Sequence, residues 1–244
     1  MVSAAGFATL LQHPASPLSG WTASPVGRRV AMGLAMGLTL IALVYSPLGR
    51  RSGAHMNPAV TLTFMRLGKV APPDAAGYIL GQFVGGFAGI LAAIGMFRGL
   101  PAHPSVNYVA TIPGPSGVAA AFAAEAAISF GMMLTVLIVS NISTISRFTG
   151  LCAGVLVATY ITIEAPLSGM SMNPARTLGP AILAHAKSTL WIYFTAPLIG
   201  MLLAGQLYVR ARGLASIRCA KMHHPLNVPC IFKCGFAEHV EASV

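Results

Sequence analysis

Residues 55–60 read HMNPAV, and residues 171–176 read SMNPAR. Each Asn-Pro-Ala interrupts an apolar stretch. Proline has no backbone N–H and clashes with a preceding helical turn. An asparagine amide in an apolar environment needs partners. Two such interruptions call for a protein interior or a water-filled cavity around them. Short apolar segments follow, Val60–Met65 and Thr177–Ala184, each too short to span a bilayer. Both fit half-helices that enter the membrane from a loop, with Pro58 and Pro174 near the first helical position, where a missing N–H costs nothing.

The surroundings are a membrane protein's. Of 244 residues, 55% are hydrophobic and 8% charged, against about 25% charged in a soluble domain. Segments long enough to span, or nearly so, cover Arg29–Tyr45, Gly77–Phe97, Val118–Ser140, Phe148–Glu164 and Leu190–Arg210. Met1–Gln12 has span composition but reaches only about 18 Å as a helix. The formal net charge of +10 follows from basic loops and a basic tail. If both termini are cytoplasmic, ten Lys and Arg lie inside and five outside (Arg28, Arg29, Arg98, Arg176 and Lys187), which obeys the positive-inside rule. Nucleic acid is therefore not the expected partner.

Asn57 and Asn173 are 116 residues apart, and SGAHMNPAVTL and SGMSMNPARTL share eight positions. This is an internal repeat, about 1–100 and 115–212. The second half holds three spans, so the halves should be inverted in the membrane. The first half shows two spans and a stub, from which we expect the first helix to be truncated at Met1 and the 244-residue form to be unstable or poorly conducting. The expected fold is all-α: six spans, the first incomplete, plus two re-entrant half-helices in a domain over 1–212, with a basic tail over 213–244. Two half-helices meeting N-terminus to N-terminus would place about half a positive charge each near the midplane. The Asn57 and Asn173 amides would offer N–H donors there to water or a hydroxyl, while cations and protons meet a barrier.

SGAHMNPAVT and SGMSMNPARTLGPA closely resemble the signature loops of the aquaporin, or major intrinsic protein, family, in its prokaryotic-type form with two full motifs. The resemblance covers about residues 1–212. YILGQFVGG (78–86), FAAEAAISFG (122–131) and WIYFTAPLIG (191–200) look like its third, fourth and sixth helices. The resemblance implies a right-handed helical bundle and a homotetramer with one pore per subunit. It also implies a passive channel for water or small neutral solutes rather than an enzyme, with no cofactor required for transport. The pore residues would be Asn57, Pro58, Ala59, Asn173, Pro174 and Ala175. Glu125 would accept bonds from the second loop, and His55 would hydrogen-bond the first. Arg176 would form an outer filter with Met36, Ile161 and Met170. Water-selective relatives carry an aromatic where Met36 falls and a histidine where Ile161 falls, so this filter should be more apolar. Thr177 stands where the glycerol-conducting branch usually has aspartate, which leaves the solute open among water, ammonia and small polyols. The expected location is a bacterial plasma membrane.

Other residues stay outside that pattern. Glu164, three positions after Ile161, shares roughly its helix face and could meet Arg176 in the outer vestibule or sit as an acid at the span's end. Cys152 is a small packing residue. Cys219, His223, Cys230 and Cys234 in the tail, spaced C-x3-HH-x5-C-x3-C, could complete a zinc or other soft-metal site. They could equally belong to a disordered tail or be lipidated. An inverted-repeat secondary transporter is the alternative plan. It needs ionisable coupling residues, for which only Glu125 and Glu164 are candidates. No nucleophile–base constellation points to an enzyme.

Overall fold

The structure, a computed structural model, describes residues 1–18, 24–224, 230–232 and 234; the tail's remaining residues lie outside it. Asn57 and Asn173 each cap the helix that follows. The Asn57 Oδ1 accepts from Ala59 N at 2.9 Å, and α4 (Pro58–Arg66) starts with proline at its first turn. The Asn173 Oδ1 accepts from Ala175 N at 3.0 Å and Arg176 N at 3.3 Å, and α9 (Pro174–Leu183) starts likewise. Capping satisfies N–H groups that a helix start leaves without intrahelical partners. Both half-helices therefore begin earlier than hydropathy alone suggests, because the proline belongs to the helix.

The other elements are α1 (Val2–Gln12), α2 (Pro25–Tyr45), α3 (Pro47–Ser52), α5 (Pro72–Met96), α6 (Gly117–Ser140), α7 (Thr149–Ile163), α8 (Ala165–Ser168) and α10 (Leu190–Arg212). Among the described residues, five helices are long and apolar enough to cross a membrane: α2, α5, α6, α7 extended back to Ser146, and α10. α1 has 11 residues. Pro25 and Pro72 set the starts of α2 and α5 a turn or more before the apolar runs. Their outer faces carry large exposed apolar side chains, among them Leu38, Leu80, Val155 and Leu203, as lipid-facing helices do. The chain is an integral membrane protein.

The two most extensive helix pairs are α6 with α10 and α2 with α7, and both depend on missing side chains. A Cβ at Gly200 would lie 2.2 Å from Ala126 O; at Gly33 and Gly37 it would lie 2.5 Å from Ala158 O and Gly154 O. Helices in lipid pack by such close approach rather than by the hydrophobic effect. The α5–α9 pair uses Gly86, whose Cβ would lie 2.4 Å from Ala175 O. Its neighbour Gly85 faces open space. Gly200→Val is expected to cost about 3 kcal/mol or more, the upper range for overpacking, because a backbone carbonyl blocks the way. Thermal unfolding in detergent reads this directly.

Candidate functional site

The two half-helices are tied to each other through their capping residues. Asn57 Nδ2 donates to Met172 O at 2.7 Å, and Asn173 Nδ2 donates to Met56 O at 2.8 Å. Each side-chain amide thus uses its oxygen on its own helix and one N–H on the opposite loop. The inventory of the amide leaves each a second N–H. Both asparagines line one cavity of about 480 Å³. It runs from Arg28 and Arg29 at the start of α2, past the asparagines, to Leu43 near the end of α2 and Met222 in the tail.

The second loop is braced from α6. Glu125 is fully buried. Its Oε1 accepts from Ser171 N at 2.6 Å and Ser168 Oγ at 2.8 Å, and its Oε2 accepts from Met172 N at 2.7 Å. Irregular backbone at membrane depth needs its N–H groups satisfied in this way. The first loop is held differently. The His55 Nε2–H donates to Ala220 O in the tail at 2.8 Å, leaving Nδ1 to accept from the Thr61 hydroxyl at 3.3 Å. Gln82 Nε2 on α5 donates to His55 O at 2.8 Å and to Thr61 Oγ1 at 3.0 Å. His55 thus joins the loop to the tail as well as to the half-helix.

Met36, Ile161, Met170 and Arg176 all line the cavity. The Arg176 guanidinium donates through Nη1 to Thr111 Oγ1, from the segment between α5 and α6. Nothing in the local sequence marked Thr111. Gln82 did carry a signal, as a lone amide in an apolar span. Glu164 is 7% exposed at the α7–α8 corner, outside the residues that line the cavity. It makes no bond to Arg176; its buried carboxylate faces Ser168. Nine of the twelve methionines line the cavity, giving a polarizable, adaptable wall. A second cavity of about 680 Å³ adjoins the first; Gly77, Gly81 and Gly85 of α5 line it together with Met56, Asn173 and Arg176.

In the tail, Cys219, His224, Cys230 and Cys234 gather their donor atoms within 4.8 Å of one another. His224 takes the place expected of His223, whose ring packs on Tyr45 with centroids 5.0 Å apart. Adjacent residues in the bend at 222–224 face different ways, which spacing cannot reveal. Burial pushes the Cys219 thiol up. Burial also acts to raise Cys230, but hydrogen bonds from Phe232 and Cys234 N–H and from its two sister thiols hold it below the ordinary thiol value. Cys152 lies apart, on α7.

These features define a membrane-spanning bundle of inverted repeats with two half-helices joined at one internal cavity. The sequence profile of the Major intrinsic protein family matches residues 4–208, and the chain belongs to that family. Aquaporin NIP1-3 of Oryza sativa subsp. japonica is 36% identical over 176 residues, 70% of this chain and 58% of the relative. Glycerol uptake facilitator protein-like 6 of Lactiplantibacillus plantarum is 36% identical over 181 residues, 73% of this chain and 83% of the relative. The chain spans about six-tenths of the length of the plant relatives it matches. In fold it resembles the aquaglyceroporin of Plasmodium falciparum, with a TM-score of 0.64 at 22% identity over 85% of this chain and 89% of that one.

Proposed function

We propose that the chain is a passive channel for water and small neutral solutes, not an enzyme, and that it excludes ions. The observation that carries this reading is the cavity that Asn57, Asn173 and Arg176 all line. Each asparagine retains an N–H for a passing oxygen, and two helix N-termini plus a guanidinium oppose cations. The motif residues Pro58, Ala59, Pro174 and Ala175 start the half-helices and present no side-chain donor. Met36, Ile161, Met170 and Arg176 act as the filter. Its three apolar members favour solutes such as glycerol or ammonia over strict water selection, which agrees with a relative named as a glycerol uptake facilitator. Glu125 and His55 support the loops. Glu164 is assigned to the outer corner of the bundle.

The further expectations are a homotetramer with one pore per subunit in a bacterial plasma membrane, both termini in the cytoplasm. The channel unit is 1–212, with a tail over 213–244. Transport needs no cofactor, and the tail cluster is assigned to zinc or another soft metal. An ion-coupled transporter is the less favoured alternative, because Glu125 is already committed to the loop.

Stopped-flow light scattering of proteoliposomes tests the channel reading. Linear, uncoupled glycerol entry that exceeds protein-free vesicles is the expected result. Saturable flux that requires an ion gradient would replace the channel with a transporter. Ile161→His together with Met36→Phe is expected to reduce glycerol entry about tenfold, roughly 1.4 kcal/mol of barrier, while water flux persists.

A further inference from the structure

The tail does not simply leave the bundle. After α10 it turns at Gly213 and runs back beneath both repeats. Arg218 N donates to Asn141 Oδ1 at 2.7 Å, at the end of α6. Ala220 O accepts from His55, Lys221 Nζ donates to Arg50 O at 2.9 Å, and Met222 N donates to Gly53 O at 3.2 Å. Met222 is 8% exposed and reaches the end of the cavity that holds both asparagines. The strap that carries Met222 is bracketed by Cys219 and His224, two members of the tail cluster.

The cluster's geometry fits a metal. Cys219 Sγ and Cys230 Sγ are 3.5 Å apart, Cys230 Sγ and Cys234 Sγ 3.4 Å, and Cys234 Sγ and His224 Nε2 3.4 Å. Tetrahedral zinc with bonds of about 2.3 Å to sulfur needs edges of about 3.8 Å; these three edges lie a few tenths of an ångström below that, and every other donor pair lies within 4.8 Å. Three thiolates and one imidazole close all four positions, as a structural site does. The product would carry one net negative charge beside Lys221 and Arg147, which border the same cleft as Cys219 and His224. Basic neighbours favour thiolates.

We propose that Cys219, His224, Cys230 and Cys234 bind one zinc ion, and that the bound ion fastens the strap so that Met222 closes the tail-side end of the pore. Without zinc the strap keeps its hydrogen bonds to Asn141, His55, Arg50 and Gly53 but loses the metal clamp, and it lifts more readily. The gate rests on the channel reading; the metal site does not.

The full chain, reduced and reconstituted in proteoliposomes, is titrated with Co²⁺ and then Zn²⁺. Thiolate-to-cobalt charge-transfer absorption should saturate at one Co²⁺ per chain and vanish on adding Zn²⁺. Water permeability should fall about fivefold or more with zinc, the lower end of ordinary coupling between two sites, and recover with a chelator. Cys230→Ser and Cys234→Ser should lose both responses, whereas Cys152→Ser should keep both. Met222→Gly should bind Co²⁺ yet conduct with or without zinc. Failure to retain cobalt under reducing conditions overturns the site. Cobalt bound with unchanged permeability overturns the gate. A chain that stays impermeable after chelation and as Met222→Gly overturns the channel reading and the gate with it, while the cobalt spectrum still decides the site.

Discussion

Glu125→Leu is expected to unfold the second loop and with it the pore. The carboxylate is the sole acceptor shown for Ser171 N–H and Met172 N–H, and it also accepts from Ser168 Oγ. A buried donor left without an acceptor costs about 1–3 kcal/mol. Three such donors make a loss on the order of 3–9 kcal/mol. Glu125→Gln should be milder. Its amide oxygen can serve Ser171 and Ser168, but its NH₂ then faces another donor at Met172, which loses one bond, about 1–3 kcal/mol. Thermal unfolding in detergent ranks the two variants, and water flux should follow the same order. A Glu125→Leu protein as stable as the parent would show that the loop does not depend on this brace.

Arg176→Val is expected to make the channel leak cations. The guanidinium sits in the first turn of α9 on the cavity wall. A positive side chain at a helix N-terminus is electrostatically unfavourable, so its placement costs stability and has to be maintained by something other than the fold's own needs. A monovalent cation about 4 Å away meets about 4 kcal/mol at an effective dielectric constant of 20, close to a thousandfold in rate. Proton or potassium entry into proteoliposomes, read with a pH-sensitive or potential-sensitive dye, should rise by a comparable factor. Thr111→Val removes the guanidinium's anchor and keeps its charge. It should give a smaller leak and altered solute selection. If Arg176→Val stays as tight to cations as the parent, the barrier belongs to the paired half-helices alone.

The repeat, the half-helices and the spans were legible because each rests on a local signal. Asparagine followed by proline announces a capped helix start, and twenty apolar residues announce a span. The buried acid at Glu125 was equally visible, since an isolated carboxylate in an apolar helix must satisfy something. Contacts between distant irregular segments were not legible. Thr111 meets Arg176 across 65 positions, with no periodicity to betray it. The choice of Gly86 over Gly85 depends on helix rotation by one residue, about 100°. His224 rather than His223 depends on the direction of a bend. Met222 read as part of a polar tail, and only the return of the chain beneath the bundle brings it to the cavity.

The reciprocal bonds between Asn57 and Met172 O, and between Asn173 and Met56 O, set a condition on biosynthesis. The first loop leaves the ribosome 116 residues ahead of the second. At about 5–20 residues per second, that interval is roughly 6–23 s. Throughout it, the Asn57 amide and the Met56 carbonyl lack the partners that let them rest inside lipid. The first half-helix is therefore expected to wait in contact with water or with the insertion machinery, and to move inward once its counterpart arrives. The two half-helices are made in sequence, but their reciprocal bonds can form only together.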